Sequence, residues 1–190
     1  MKTFVIDLYI WNNDLSDWLL IPARGAALQW PAFPGISQAA LLVSDAGITF
    51  RVDDVLWLGN ERDGFPLEMV VYSLYNTIGG GTPGELLANM ATNEFSSLEI
   101  RQGADQHHVL LSRWSTRDAP DDYLEQTARH VGSYCRDFPV ESRLWEAAVT
   151  AALGGLADAL IASPLPGPEP ENEGLANWLL KNYGPTNEST

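Results

Sequence analysis

Asp53, Asp54, Glu61, Asp63 and Glu68 form the densest cluster of carboxylates between the predicted strands of this sequence. Carboxylates at strand ends can hold Mg²⁺ or divide the roles of general acid and general base. The stretch around Asn60 does not match a calcium loop, with its glycine and terminal glutamate. What remains is charge, a solvated acidic rim able to meet a basic surface. Asp53, Asp54, Glu61 and Asp63 are therefore the expected partner-binding residues, on loops that protrude from a rigid sheet.

Other chemistry is weaker. Gly79–Gly84 opens what reads as a helix, a geometry that can hold an anion on free backbone N–H groups. It lacks a Walker-type lysine and the G-x-G-x-x-G spacing, and no Lys or Arg occurs between Arg62 and Arg101. A plain turn is the expectation. The soft metal ligands are His107, His108, His130 and Cys135. Adjacent histidines on a strand point to opposite faces, and no pair has zinc-finger spacing, so no metal site is expected. There is no G-x-S-x-G, and Cys135 falls on an apolar stripe, where a thiol is buried and inert. No catalytic residue and no cofactor is expected.

Charge is the compositional anomaly: 25 acidic against 11 basic residues, a net −14. Residues 1–66, 67–118, 119–162 and 163–190 carry −4, −3, −4 and −3, so the charge is spread along the chain. Such a surface repels nucleic acid and anionic membrane and favours a basic protein partner, although solubility alone also accounts for it. One cysteine excludes an internal disulfide, and the N-terminus lacks the apolar run of a signal peptide. The sequence therefore reads as cytoplasmic.

The elements that must position these groups predict an α+β domain over residues 1–162: an antiparallel sheet of about five to seven strands, covered by a C-terminal helix pair. Phe4–Trp11 has apolar residues on both faces and reads as a central strand. Asp14–Ile21 reads as a short helix stopped by Pro22. Arg24–Gly35 reads as a connection laying Trp30 and Phe33 over the core. Ala39–Ser44 and Ile48–Asp53 flank a turn at Asp45-Ala46-Gly47. Asn60–Gly64 reads as a polar turn, and β-branched and aromatic Leu67–Tyr75 as a strand. Thr82 with Glu85 is a capping box with Pro83 at the first helical position, predicting a short helix between strands that runs to Ala91. Leu98–Arg101 and Val109–Trp114 form a hairpin.

The helix pair spans 119–162. Leu124, Ala128, Val131 and Cys135 stripe the first helix. Trp145, Val149, Leu153, Leu156 and Leu160 stripe the second. Beside them run Ala147, Ala148, Ala151, Ala152, Gly155 and Ala159, small residues that let another backbone approach closely. Residues 163–174, with four prolines and three glutamates, form a linker. Residues 175–190 hold a tail helix carrying Leu175, Trp178, Leu179 and Tyr183. A helix this short must dock on the domain, on a second copy as a homodimer contact, or on a partner.

These readings favour a non-catalytic inhibitor of a basic, nucleic-acid-handling protein, of the kind a toxin-immunity or phage anti-defence protein represents. It would bind neither nucleic acid nor membrane directly. The alternatives are a metal-dependent enzyme using the Asp53–Glu68 carboxylates, and a secretion chaperone or assembly component that works through the tail helix.

Overall fold

The structure, a computed structural model, describes residues 3–12, 16–25, 44–53, 55–91, 96–115, 135–162 and 174–185. The fold is α+β. The strands of the first sheet are β1 (Phe4–Asn12), β2 (Asp17–Ile21), β3 (Asp45–Val52) and β4 (Val55–Pro66), in the order β2-β1-β3-β4. The second is a meander of β5 (Leu86–Ala91), β6 (Ser96–Gln102), β7 (His108–Ser115) and β8 (Cys135–Glu141). All pairings are antiparallel. Helix α1 (Leu67–Asn76) joins the sheets, α2 (Ser142–Ala162) follows the second, and α3 (Leu175–Tyr183) pairs with α2 as the C-terminal helices.

Two sheets stand where one was expected because α1 takes the chain out of the first. Leu67, Val70, Val71 and Leu74 are all buried, a spacing of three, one and three that only a helix puts on one face. Packing of that face overrides the strand preference of the Val and Tyr side chains. The reverse exchange occurs at Leu86–Ala91, expected as a helix and found as β5. The Thr82–Glu85 motif forms in part: the Thr82 N–H and hydroxyl both donate to Glu85 Oε2 at 2.7 Å, while the Glu85 N–H donates to Thr82 O and not to the hydroxyl. It closes a turn, and the residues after it alternate between the core and solvent, with Ala88 and Met90 buried.

Four further expectations change. Asp17–Ile21 is the edge strand β2 rather than a helix, and β1 lies between it and β3 as a central strand. Asp45-Ala46-Gly47 lies inside β3, and Asn60–Gly64 inside β4. The turn of this hairpin is at Asp53, since Val52 already pairs with Val55. Cys135 opens β8 instead of closing a helix. The expected hairpin of β6 and β7 is present, with Leu98 opposite Arg113 and Ile100 opposite Leu111. The strand at 39–43, the 26–35 connection with Trp30 and Phe33, the helix with Leu124, Ala128 and Val131, His130, and linker residues 163–173 lie outside the described residues.

Helix α2 organises the core. Trp145, Val149, Leu153, Leu156 and Leu160 are all buried. The Trp145 ring lies 5.9 Å from Phe4 of β1 and 6.2 Å from Phe50 of β3. Its indole N–H donates to Thr77 Oγ1 at 2.8 Å, and that hydroxyl donates to Leu74 O at the end of α1. One side chain thus joins α2, the first sheet and the α1 C-cap. Among the described residues, α2 alone is long and apolar enough to cross a membrane, yet its apolar face is spent inside the protein. Its small-residue stripe does what small residues allow: the Arg24 N–H donates to Ala151 O at 2.7 Å, so the chain after β2 lies directly on the helix. Ala147 alone of that stripe is exposed. Arg24 also pairs with Asp158 at 2.6 Å and donates to Gly154 O and Tyr183 O, tying β2, α2 and α3 together.

The tail helix docks on the domain. Leu175, Ala176, Leu179 and Tyr183 are buried in the same core cluster as both sheets.

Candidate functional site

The hairpin of β3 and β4 carries the acidic residues singled out by sequence, and it spreads them. Asp53 stands at the turn with φ +48°. Its carboxylate accepts the Thr3 N–H at 2.9 Å, so part of its capacity fastens the start of β1. Asp54 lies outside the described residues. Glu61 and Asp63 fall on the backbone of β4, within a strand instead of on a loop, and their side chains are outside the described part of the structure. Six strand residues separate Val55 from Glu61, roughly 20 Å at about 3.3 Å per residue. The carboxylates therefore form two stations along one hairpin: Asp53 at its tip, and Glu61 with Asp63 further up. Glu68 is exposed in the first turn of α1.

Several other charges of the described residues are paired within the fold. Asp7 and Arg51 form a bidentate pair between β1 and β3, at 2.5 and 3.1 Å, with Asp7 only 4% exposed. Arg101 pairs with Glu99 at 3.0 Å and Arg136 with Asp137 at 3.7 Å. Arg113, 1% exposed, donates to Ile48 O and so links the second sheet to the first. Among the described residues Arg24, Arg51, Arg101, Arg113 and Arg136 are thus engaged within the fold, whereas Arg143 and Lys181 are exposed.

The glycine turn is occupied by the protein itself. The Gly79 N–H donates to Glu146 at 3.1 Å, Gly81 N–H to Gln102 Oε1 at 3.1 Å, and Gly84 N–H to Gln102 O at 3.0 Å. The positive φ of Gly79, Gly80 and Gly84 shapes the turn so that these amides meet the Glu146 and Gln102 side chains and the Gln102 backbone carbonyl. Glu85, held below the usual carboxylate range by the Thr82 amide and hydroxyl, adds a further negative charge. A phosphate would have to displace carboxylates. Accordingly ATP, GTP and pyrophosphate should leave the melting temperature unchanged; a saturable upward shift would show that the turn binds them.

One concave feature was not legible in the sequence. Gln106, His107, His108, Glu141, Ser142 and Arg143 line a groove of about 470 Å³ beside the start of α2. Both histidines line it, contrary to the opposite-faces expectation, because His107 belongs to the β6–β7 turn and only His108 to the strand. Asp105 shapes that turn: Oδ1 accepts the His107 and His108 N–H groups at 3.0 and 3.2 Å, and Oδ2 lies 2.6 Å from His108 Nδ1. The His108 side-chain bond, first, and these amides hold the Asp105 carboxyl below its ordinary range. The pairing of His108 with Glu141 brings the two distant segments together, a long-range register with no local trace. Glu141 sets a negative charge among the groove's histidines and arginine, so the lining selects no one ligand charge.

Cys135 is buried, its thiol donating to Leu111 O, and burial raises its pKa to about 12. It is inert at neutral pH, as expected of a buried thiol, though on a strand. Among the described residues no three His, Cys, Asp or Glu side chains gather as metal ligands. No family model, no curated protein and no solved structure matches this chain.

Proposed function

We propose that this protein works by binding: it is an acidic, non-catalytic inhibitor that covers the basic, nucleic-acid-binding surface of a protein partner. The observation that supports this reading is the disposal of its cations. Arg24, Arg51, Arg101 and Arg136 are turned onto carboxylates of the same chain and Arg113 is buried, while the acids outnumber the bases 25 to 11. The excess is left as outward negative potential, which steers a basic partner and disfavours nucleic acid. Toxin neutralisation and phage anti-defence are tasks of this kind. The β3–β4 hairpin is the proposed contact, through Asp53, Asp54, Glu61 and Asp63.

The test begins with affinity capture from the native host and continues with binding kinetics of the captured partner. Raising salt should slow association strongly and change dissociation little, because desolvated contacts at the interface centre hold the complex once formed. Replacing all four carboxylates with Asn or Gln should weaken binding without lowering the melting temperature. The Asp53/Asp54 and Glu61/Asp63 double variants separate the two stations. Unchanged affinity in the fourfold variant would refute the site and keep the function. A divalent-metal-dependent activity that this variant loses, with no partner captured, would replace the inhibitor by the enzyme.

A further inference from the structure

The seam between α1 and α3 is aromatic and open. The Trp178 ring of α3 meets Tyr72 of α1 at 5.3 Å and Tyr75 at 4.9 Å, both edge-to-face, and Tyr183 at 5.9 Å. Tyr183 is buried, whereas Tyr72 and Trp178 are half-buried and Tyr75 is 41% exposed. Met69, one turn before Tyr72, is also exposed. Helix packing accounts for the buried edge of this cluster but not for the rings left at the surface.

The electrostatics there are negative. Helix α1 ends beside Tyr75 with no basic residue in its last turn, and its final carbonyls are capped by the uncharged Thr77 and Ile78 groups rather than by a cation. The chain then enters the glycine turn, where the Glu146 carboxylate is fixed on the Gly79 N–H. Aromatic rings left partly at the surface near a helix end without a basic residue attract a cation through the ring quadrupole. Arginine fits better than lysine, because its planar, weakly hydrated guanidinium stacks on rings while an ammonium keeps its water. Lys181, one turn along α3 from Trp178, is the opposing charge.

We propose that the seam of Tyr72, Tyr75 and Trp178 is the docking place for an arginine side chain of the basic partner. This rests on the proposed function and names a contact that carboxylates on the β3–β4 hairpin cannot supply: stacking of the guanidinium on an aromatic face.

Octa-arginine and octa-lysine peptides, titrated against the full chain at matched ionic strength, test it. The wild type should prefer octa-arginine by about fivefold, the size of one or two partly exposed cation–π contacts. Tyr75→Leu and Tyr72→Leu, which keep apolar bulk but remove a π face, should bring that ratio towards one while leaving octa-lysine affinity in place. The ratio is read within each variant, so a general loss of stability cancels. Glu146→Gln should weaken both peptides, and Lys181→Ala should strengthen both. Equal binding of the two peptides by the wild type, or an arginine preference that survives both tyrosine variants, overturns this inference and leaves the proposed function standing. Failure of either peptide to bind at low salt overturns both.

Discussion

Adding a single methyl group at position 155 should cost about 3 kcal/mol of stability, the upper end of what overpacking does. A Cβ on Gly155 would stand 2.0 Å from Pro22 O, 3.0 Å from Pro22 C and 3.1 Å from Ala23 Cα, all backbone atoms. Nothing there is a flexible side-chain end that could swing aside. Nor can the Pro22–Arg24 segment retreat freely. Arg24 is bound to Ala151 O through its N–H, and its guanidinium grips Asp158, Gly154 O and Tyr183 O. Relief of the clash must therefore break a hub that joins β2, α2 and α3. Gly154→Ala is the informative control. Its Cβ would meet only the end of the Arg24 side chain, at 3.0 to 3.1 Å, and the expected loss is smaller. The check is urea denaturation of both variants beside the wild type. A Gly155→Ala midpoint equal to that of the wild type would show that β2 does not lie on α2 as described.

The same helix shows which information a sequence carries. Its apolar stripe and its small stripe are both periodic, and each implies a neighbour: the first a core, the second a close backbone. What the stripe cannot name is the neighbour, because Pro22 and Ala23 are more than a hundred residues away. The two exchanged elements are more instructive. Leu67, Val70, Val71 and Leu74 have helical spacing, but Val70, Val71, Tyr72 and Tyr75 are of types that favour strands, and weighting type above period gives the wrong element. At Thr82–Glu85 one half of a capping box is real, the Thr82 N–H donating to the Glu85 carboxylate, and a strand follows all the same. A cap motif reports how one turn is closed, not what the next residues do; the alternation of Ala88 and Met90 is the signal that decides.

The candidate site was legible only as composition. The excess of carboxylates can be counted, but its presentation depends on which cations are spent inside. That is settled by pairings such as Asp7 with Arg51 and Arg24 with Asp158, each bringing together residues far apart in the chain. The separation of Asp53 from Glu61 and Asp63 follows from a strand where a turn was expected. The His107–Arg143 groove depends wholly on the β7–β8 register. Trp178 was visible as a tail-helix residue. Its two partners on α1 were hidden by reading that helix as a strand, in which Tyr72 and Tyr75 would point to opposite faces.

Ending the chain after Ala162 should remove about 3 to 5 kcal/mol, a large part of the 5 to 15 that holds a typical domain together. The sequence alone favours the opposite outcome, a folded core with a separable tail, because proline and glutamate dominate 163–174. The docking of α3 argues against it. Leu175, Ala176 and Leu179 are almost wholly buried, and Tyr183 is nearly so. Truncation strips those contacts from α2, uncovers Tyr72 and Tyr75, and removes the carbonyl of Tyr183 that Arg24 holds at 2.6 Å. Arg24 keeps Asp158, so the hub weakens without dissolving. Leu179→Ala in the full chain should cost about 2 to 5 kcal/mol, as a buried leucine does, and isolates the packing term from the loss of chain. Denaturant midpoints of the two variants, read with size-exclusion chromatography, decide among the roles open to α3. A truncated chain that keeps its midpoint and its elution volume makes α3 peripheral and contradicts its burial. One that keeps its midpoint but passes from dimer to monomer makes α3 an oligomer contact. The expected result, a fall in both midpoints with no change of oligomeric state, makes the tail helix part of the core, with its aromatic edge left facing outward.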